Sequence, residues 1–597
     1  MKELDYRFDS NYILKKRKSI KKMLVAQKDD NRIYKRIAIL GGSTTHDIKD
    51  ILELFLLNYG IEPEFYESEY AQYWQDIMFD ALELKDFRPD IIYIHTSTRN
   101  LNIFPSMRDS EEQIFELEER VYKHYEVMWN KAAETYRCPI IQNNFEPPFF
   151  RILGNKDVSD KHGRLNFVNR LNERFYAYAR EHDNFYINDI NYLASCYGLQ
   201  KWADPFYWNM YKYSCAVSAI PELAFNVANI IKSIYGKNKK AFVLDLDNTL
   251  WGGIIGDVGP EQIEIGQETP VGQMYSEFQQ YLKEYKELGI MLTINSKNEE
   301  ENALAGLRRP DSVLKPEDFL VIKANWDSKD RNLLQIAREL NIGTESLVFV
   351  DDNPAERHII SSHVPETAVP DIGAVEQYIQ ILDRSGFFEV TSLSEDDLKR
   401  NDMYKANVAR KELEFSLEKY EDYLYSLSMK AEVKPFIPLY MSRIAQLTNK
   451  SNQFNLTTMR CSLTDIENIV KDPSYITLYG KLEDKFGDNG VVSVVFGHQD
   501  AGNMQIFHID QWLMSCRVLK RNMEFAMMDI LVKRCLDREI GEIYGYYYPT
   551  SKNKIVREFY ATLGFVKITE DYEGKSIWKL DISKGYDNKN KVIIVEE

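Results

Sequence analysis

The chain has 597 residues, 44% of them hydrophobic and 28% charged, an ordinary globular composition long enough for about three to five domains. A net charge of −17 excludes a general nucleic-acid or anionic-membrane binder, which needs a basic field, although a bound cation can still make a local phosphate site. The six cysteines form no Cys-x-x-Cys pair, "MKELDYRFDS" has no apolar signal core and no apolar run approaches a membrane span, so a cytoplasmic protein without disulfides or zinc is expected.

Residues 1–35 read as a helical preface whose basic run, 14–28, is a solvated helix face. Strand–loop–helix alternation follows over 36–237, with strands at "RIAIL", "RPDIIYIHTS" and "CPIIQNNFE" and a closing helix over 218–236. A second such unit over 238–385 has strands "AFVLDLD", "IMLTINS", "FLVIKAN" and "SLVFVDD". Residues 386–425 read as a helical connector, 426–582 as a third α/β domain and 583–597 as a polar tail. The fold class is multidomain α/β.

In an open α/β sheet, ligands bind beyond the carboxyl ends of the strands. Asp245, Ser296 and the pair Asp351 and Asp352 fall at such ends, and Lys329 follows the third strand after a short loop. Crowded carboxylates repel unless a cation joins them, and hard oxygen ligands with room for water suit Mg²⁺. A lysine and a hydroxyl beside that cation make a phosphoryl pocket, in which one carboxylate attacks phosphorus and another serves as acid and base. Between Thr249 and Ser296 there is room for a small flap and one helix, and between Ser296 and Lys329 for one helix and one strand. Neither gap holds a bulky cap, so another domain or a macromolecular substrate must close the rim.

"FVLDLDNTLWGG", "INSKN", "NWDSKDRN" and "FVDDNPAER" resemble, in order, the four motifs of the haloacid dehalogenase superfamily. The resemblance implies a nucleophile at Asp245 and an acid/base at Asp247. It implies phosphate contacts from the Leu246 amide, Ser296, Lys297 and Lys329, with Thr249 bracing the loop. Mg²⁺ would be held by Asp245, the Asp247 carbonyl and Asp352, with Asp351 in support. "DLDNTLWGGIIGDVGPEQIEIG" and "TNKSNQFNLTT" (448–458) further resemble the FkbH-like proteins. That likeness implies transfer of a glyceryl unit from 1,3-bisphosphoglycerate to an acyl carrier protein with loss of phosphate. A plain phosphatase with non-catalytic flanking domains and a non-enzymatic assembly protein are the alternatives.

"IAILGGSTTHD" resembles the first block of an SGNH-type hydrolase, with Ser43 as the serine. The late Asp-x-x-His is degraded: Asp204 stands, but Trp208 and Asn209 occupy the histidine's place. A serine without a base is a weak nucleophile, so a scaffold or binding role is favoured, with His46 and His95 as substitute bases in the other reading. The third domain resembles a GNAT acyltransferase through "REFYATLGF" (557–565). In "RVLKRN" Arg517 is kept, while Lys520 and Asn522 replace the glycines of the acyl-CoA loop and would obstruct backbone approach. Cys516 beside it is a candidate acyl carrier, with His508 as a helper, or else a small buried residue.

Overall fold

The structure, a computed structural model, describes residues 1–27, 32–393, 398–451, 453–550 and 552–597. The chain divides into two compact units. One holds Phe8–Tyr235 with Met1–Leu4 and Ser462–Asp465; the other holds Gly236–Cys461 and Ile466–Glu597 with Asp5–Arg7. The second and third sequence domains therefore fall in one unit. No helix among the described residues is long and apolar enough to cross a membrane.

The first unit is a five-stranded parallel sheet in the order Ile61–Glu67, Ile33–Gly41, Ile91–His95, Ile140–Asn143, Phe185–Asn188. This is the flavodoxin-like order, with helices on both faces. The central strands read as apolar runs because both faces are covered; Ile91–His95 is buried along its whole length. The edge strand Ile61–Glu67 is invisible to that signal, since its "IEPEFYE" alternates charge with apolar residues around a proline. The basic run lies on the helix Ser10–Ala26, which buries Ile13, Ile20 and Leu24. Arg17 on that helix pairs with Asp47, and Lys21 with Glu53 at 2.6 Å. These two pairs tie it to the next helix, while Lys15, Lys16, Lys18 and Lys22 stay exposed, so the basic face is largely solvated.

In the second unit, four parallel strands lie in the order Val321–Ala324, Met291–Ser296, Ala241–Leu244, Leu347–Val350. The chain first winds outward from Ala241–Leu244 on one side and then returns to its other side. The carboxyl end of that central strand is thus the topological switch point, where an open sheet forms a crevice. Only a short turn of helix, Ile255–Val258, and one bridge between Gly252 and Glu264 separate Thr249 from the helix Pro270–Glu287. The cap is minimal.

The same unit carries an eight-stranded mixed sheet. Its order is Val566–Glu570, Ser576–Asp581, Glu542–Tyr547, Ile506–Met514, Gly487–Gln499, Tyr475–Asp484, Lys430–Lys434, Ile594–Glu596. The residues read as a polar tail supply its last strand, paired parallel with Lys430–Glu432. Central strands 506–514 and 542–547 pair only over Ile506–His508 with Glu542–Tyr544, and diverge beyond. The connector is helical from Arg400 to Ser416 and from Tyr420 to Ser426.

Candidate active site

Strand register sets the site. Leu244 pairs with Ile294 on one side and Val350 on the other, so Asp245, Ser296 and Asp351 leave the sheet at nearly the same level. Donation from Asp245 N to the Val350 carbonyl at 3.0 Å holds that edge together. The ligating oxygens of Asp245, Asp351 and Asp352 lie within 4.8 Å of one another.

Lys329 opens the helix Lys329–Glu339, and its carbonyl accepts from Asn295 Nδ2 at 2.8 Å. This positions the buried ammonium 2.6 Å from Asp351 Oδ2 and 2.9 Å from Asp245 Oδ1. One ammonium therefore bridges two of the three carboxylates. Burial, and then the charge of Asp245, push the Asp351 carboxyl up to about 6, and the same two causes raise Asp352. Burial also raises Asp247, whereas the two carboxylates hold the Lys329 ammonium above its ordinary value against the pull of burial.

Asp247 stands two residues along, after the chain has turned. Its Oδ1 accepts from Trp251 Nε1 at 2.9 Å and Ile255 N at 3.1 Å, and its Oδ2 from Asn298 Nδ2 at 2.9 Å. Asn248 makes the turn with φ of 53°, a left-handed conformation that asparagine tolerates, and its Oδ1 accepts from Gly253 N. Trp251 is fully buried against Gly306, where a Cβ would come within 2.8 Å of the indole. Thr249 Oγ1 accepts from Asp352 N at 3.2 Å and so ties the two acidic loops.

Asp351 has both oxygens engaged, Oδ2 by Lys329 and Oδ1 by Asn353 N at 2.8 Å. The Asp352 carboxylate makes no hydrogen bond to another residue among the described ones, so it is the freer of the two. Ser296 is buried at its strand end. The Lys297 ammonium meets Glu356 Oε1 at 2.7 Å. Sequence reasoning passed over Asn298, Trp251 and Glu356. Asn298 was inside the quoted "INSKN", but only the fold shows its amide reaching Asp247.

The residues fit a divalent cation. Three carboxylates against one ammonium leave an excess of negative charge in a buried cluster, and Asp245 Oδ1 is buried without a hydrogen bond of good geometry. Hard oxygen donors of this kind suit Mg²⁺.

The remaining candidates lie apart from this cluster in the sequence and in their bonding. Ser43 is buried, and its hydroxyl has no hydrogen-bond partner among the described residues. His95 bonds Tyr93, Asn143 and Ser214, and burial pushes it down to about 4. His46 sits on the surface beside Lys49 and Glu67. Asp204 caps the helix Pro205–Tyr211. In the third domain, Lys520 and Asn522 keep left-handed φ of 66° and 63°, so the loop has the backbone shape glycine would give while carrying side chains. Arg521 between them is buried on Asp484, which Arg410 also grips. Cys516 opens the short turn Cys516–Val518; its side chain lies outside the described residues. His508 bonds Tyr546 and Asp500. The amide-rich stretch 448–458 spends side chains on backbone carbonyls: Asn449 bonds that of Cys461, Asn455 that of Ser451, and Thr457 that of Asp510.

Residues 36–232 match the family model described as FkbH, N-terminal domain. Among solved structures, the N-terminal part of a Bacteroides fragilis protein, containing a phosphatase domain and complexed with Mg, is 29% identical with a TM-score of 0.57; the match covers 62% of this chain and 99% of that one. The ribosomal-protein-S18-alanine N-acetyltransferase of Escherichia coli matches at 10% identity over 27% of this chain and 99% of its own, with a TM-score of 0.21, too low to bear on function. No curated protein matches the chain in sequence.

Proposed function

Because the chain is an FkbH-like protein of the haloacid dehalogenase superfamily, we propose that it is a Mg²⁺-dependent phosphatase or phosphotransferase acting through an aspartyl phosphate on Asp245. The observation that carries this is the buried cluster of Asp245, Asp351 and Asp352 with Lys329 at the switch point of the sheet. A carboxylate of Asp245 attacks phosphorus. The leaving oxygen takes its proton from Asp247, whose pKa burial raises and whose carboxyl three donors hold in place. Asp247 then deprotonates a water, which attacks phosphorus, frees phosphate and restores Asp245. Ser296, Lys329 and the amides of Leu246 and Asp247 would hold the phosphoryl oxygens. Asp245, Asp352 and the Asp247 carbonyl would hold Mg²⁺, which supplies charge neutralisation at the phosphoryl group, with Asp351 fixing Lys329.

The finer reading couples this chemistry to transfer of a glyceryl-type acyl group from an acyl phosphate such as 1,3-bisphosphoglycerate to an acyl carrier protein. The diverging strands of the third domain and its glycine-shaped loop after Cys516 favour it over a plain phosphatase. The test is incubation with 1,3-bisphosphoglycerate and carrier proteins, followed by intact mass of each protein and phosphate assay. Phosphate release that survives in Asp245→Asn overturns the phosphatase reading. Release without any acylated carrier or enzyme leaves the plain phosphatase and removes the transferase.

A further inference from the structure

We propose that the carboxyl end of the five-stranded sheet holds a binding site for a small organic carboxylate, with the Arg99 guanidinium as its anchor. The chain runs from the strand Ile33–Gly41 outward to Ile61–Glu67 and then back across to Ile91–His95, so the switch point of this sheet lies between Ile33–Gly41 and Ile91–His95. Gly41 pairs with His95, and Gly42 N donates to the His95 carbonyl at 2.8 Å, so the loops after both strands leave side by side. Asn100 Nδ2 donates to the Gly42 carbonyl at 2.8 Å; a Cβ on Gly42 would come within 2.4 Å of that nitrogen, so glycine lets the two loops meet. On the other flank, Thr44 N and Oγ1 donate to the carbonyls of Lys212 and Tyr211 at 2.9 and 2.6 Å, one helical turn beyond Trp208. Ser43 sits between these two ties.

Arg99 is half-buried at this rim, and its donors are unspent. Its guanidinium lies 4.1 Å from the ring centre of Phe149, in the loop after Ile140–Asn143, and 5.3 Å from the ring centre of Trp208. Stacking occupies the faces of a guanidinium and leaves its in-plane N–H groups for other partners. None of them makes a hydrogen bond or an ion pair among the described residues, and Nε is buried without a partner. The carboxylate whose charge reaches Arg99, Glu146, spends its oxygens on Thr98, Oε1 on the hydroxyl at 2.8 Å and Oε2 on the amide at 3.1 Å. A planar fork of this kind matches the two oxygens of a carboxylate. The aromatic walls suit a flat, apolar body behind that group. The Ser43 hydroxyl, buried without a partner among the described residues, is a second unmet polar group at the same switch point. These groups support binding rather than cleavage. Both nitrogens of His95 are engaged, by Tyr93, Asn143 and Ser214, so that ring is not available to Ser43 as a base.

The site stands independently of the phosphatase reading, so its test is run without metal and with benzoate as the probe. The full chain in excess chelator is titrated calorimetrically with benzoate, with benzamide as the uncharged control and inorganic phosphate as the rival anion. One saturable benzoate site per chain is expected, weakening as salt rises, and benzamide should not occupy it. Arg99→Gln should weaken benzoate binding roughly ten- to a hundredfold, the loss of a charge-assisted pair, and Ser43→Ala about threefold. Asp245→Asn, in the other unit, should bind benzoate as the wild type does. Phenylglyoxal should modify Arg99 in the free chain, and benzoate should protect it, as read by peptide mass. Should Arg99→Gln fail to fold, Arg99→Lys keeps the charge but loses the fork, and should bind benzoate more weakly than the wild type. Absence of benzoate binding, wild-type affinity in the folded Arg99 variant, phosphate that binds more tightly than benzoate, or protection confined to other arginines would overturn the proposal.

Discussion

Asn298 donates its side-chain amide to Asp247 Oδ2 at 2.9 Å, across 51 residues of chain. The contact fixes the carboxyl that the mechanism needs as acid and base, and Asn298 acts through that carboxyl rather than on the substrate. It is a positioning residue. Asn298→Ala is expected to lower kcat on a poor leaving group roughly ten- to a hundredfold with little change in KM. An aryl phosphate with a good leaving group should suffer less in the phosphorylation step. Equal losses on both substrates would show that Asn298 only supports the fold, and Asn298→Gln offers a conservative comparison.

Asp245→Asn should abolish phosphate release and leave the fold intact. The amide is nearly isosteric and cannot form the aspartyl phosphate. It also removes one of three crowded carboxylates, so the melting temperature in chelator should not fall. Turnover at the wild-type rate would refute Asp245 as nucleophile.

Lys329 is buried between Asp245 and Asp351. Lys329→Met would strand two carboxylates without their cation, a change that costs about 3 kcal/mol or more for a buried pair. Urea unfolding in chelator should show that loss, and Mg²⁺ should restore part of it by neutralising the same acids. A variant as stable as the wild type in chelator would mean that the acids are already protonated there.

Mg²⁺ binding should weaken as pH falls through about 6, the value to which burial and Asp245 push the Asp351 carboxyl. The sign follows from the direction of the shift. Above that pH the cluster carries its full negative charge and attracts the cation; below it a proton occupies a carboxyl and competes. Calorimetric titration between pH 5 and pH 8 checks this, and an affinity independent of pH across that range would contradict it.

If the third domain carries the acyl group, an acyl phosphate donor should leave a thioester mass on the protein that hydroxylamine removes. Cys516→Ala should prevent it and spare hydrolysis of aryl phosphate, because the phosphoryl rim is built from other strands. An adduct that persists in Cys516→Ala places the group elsewhere.

The strand ends were legible in the sequence for a physical reason. A parallel sheet buried on both faces writes its strands as apolar runs, so "AFVLDLD" and "SLVFVDD" announce both a strand and the polar residues that must follow it. Their order alone puts Asp245, Ser296, Lys329 and Asp351 at one rim, and the absence of a bulky cap follows from the loop lengths. What the sequence could not decide was where side chains point. Lys297 sits in the motif beside Ser296, yet its ammonium goes to Glu356; Asn298, one residue further, turns inward to Asp247. Lys520 and Asn522 stand where glycines are expected, yet their backbones adopt the left-handed form all the same. The edge strand Ile61–Glu67 alternates charged and apolar residues around a proline and so does not read as a strand, and the last strand, Ile594–Glu596, is only three residues long. Periodicity and motif spacing register what each segment buries; only the packing of segments decides which charges become neighbours.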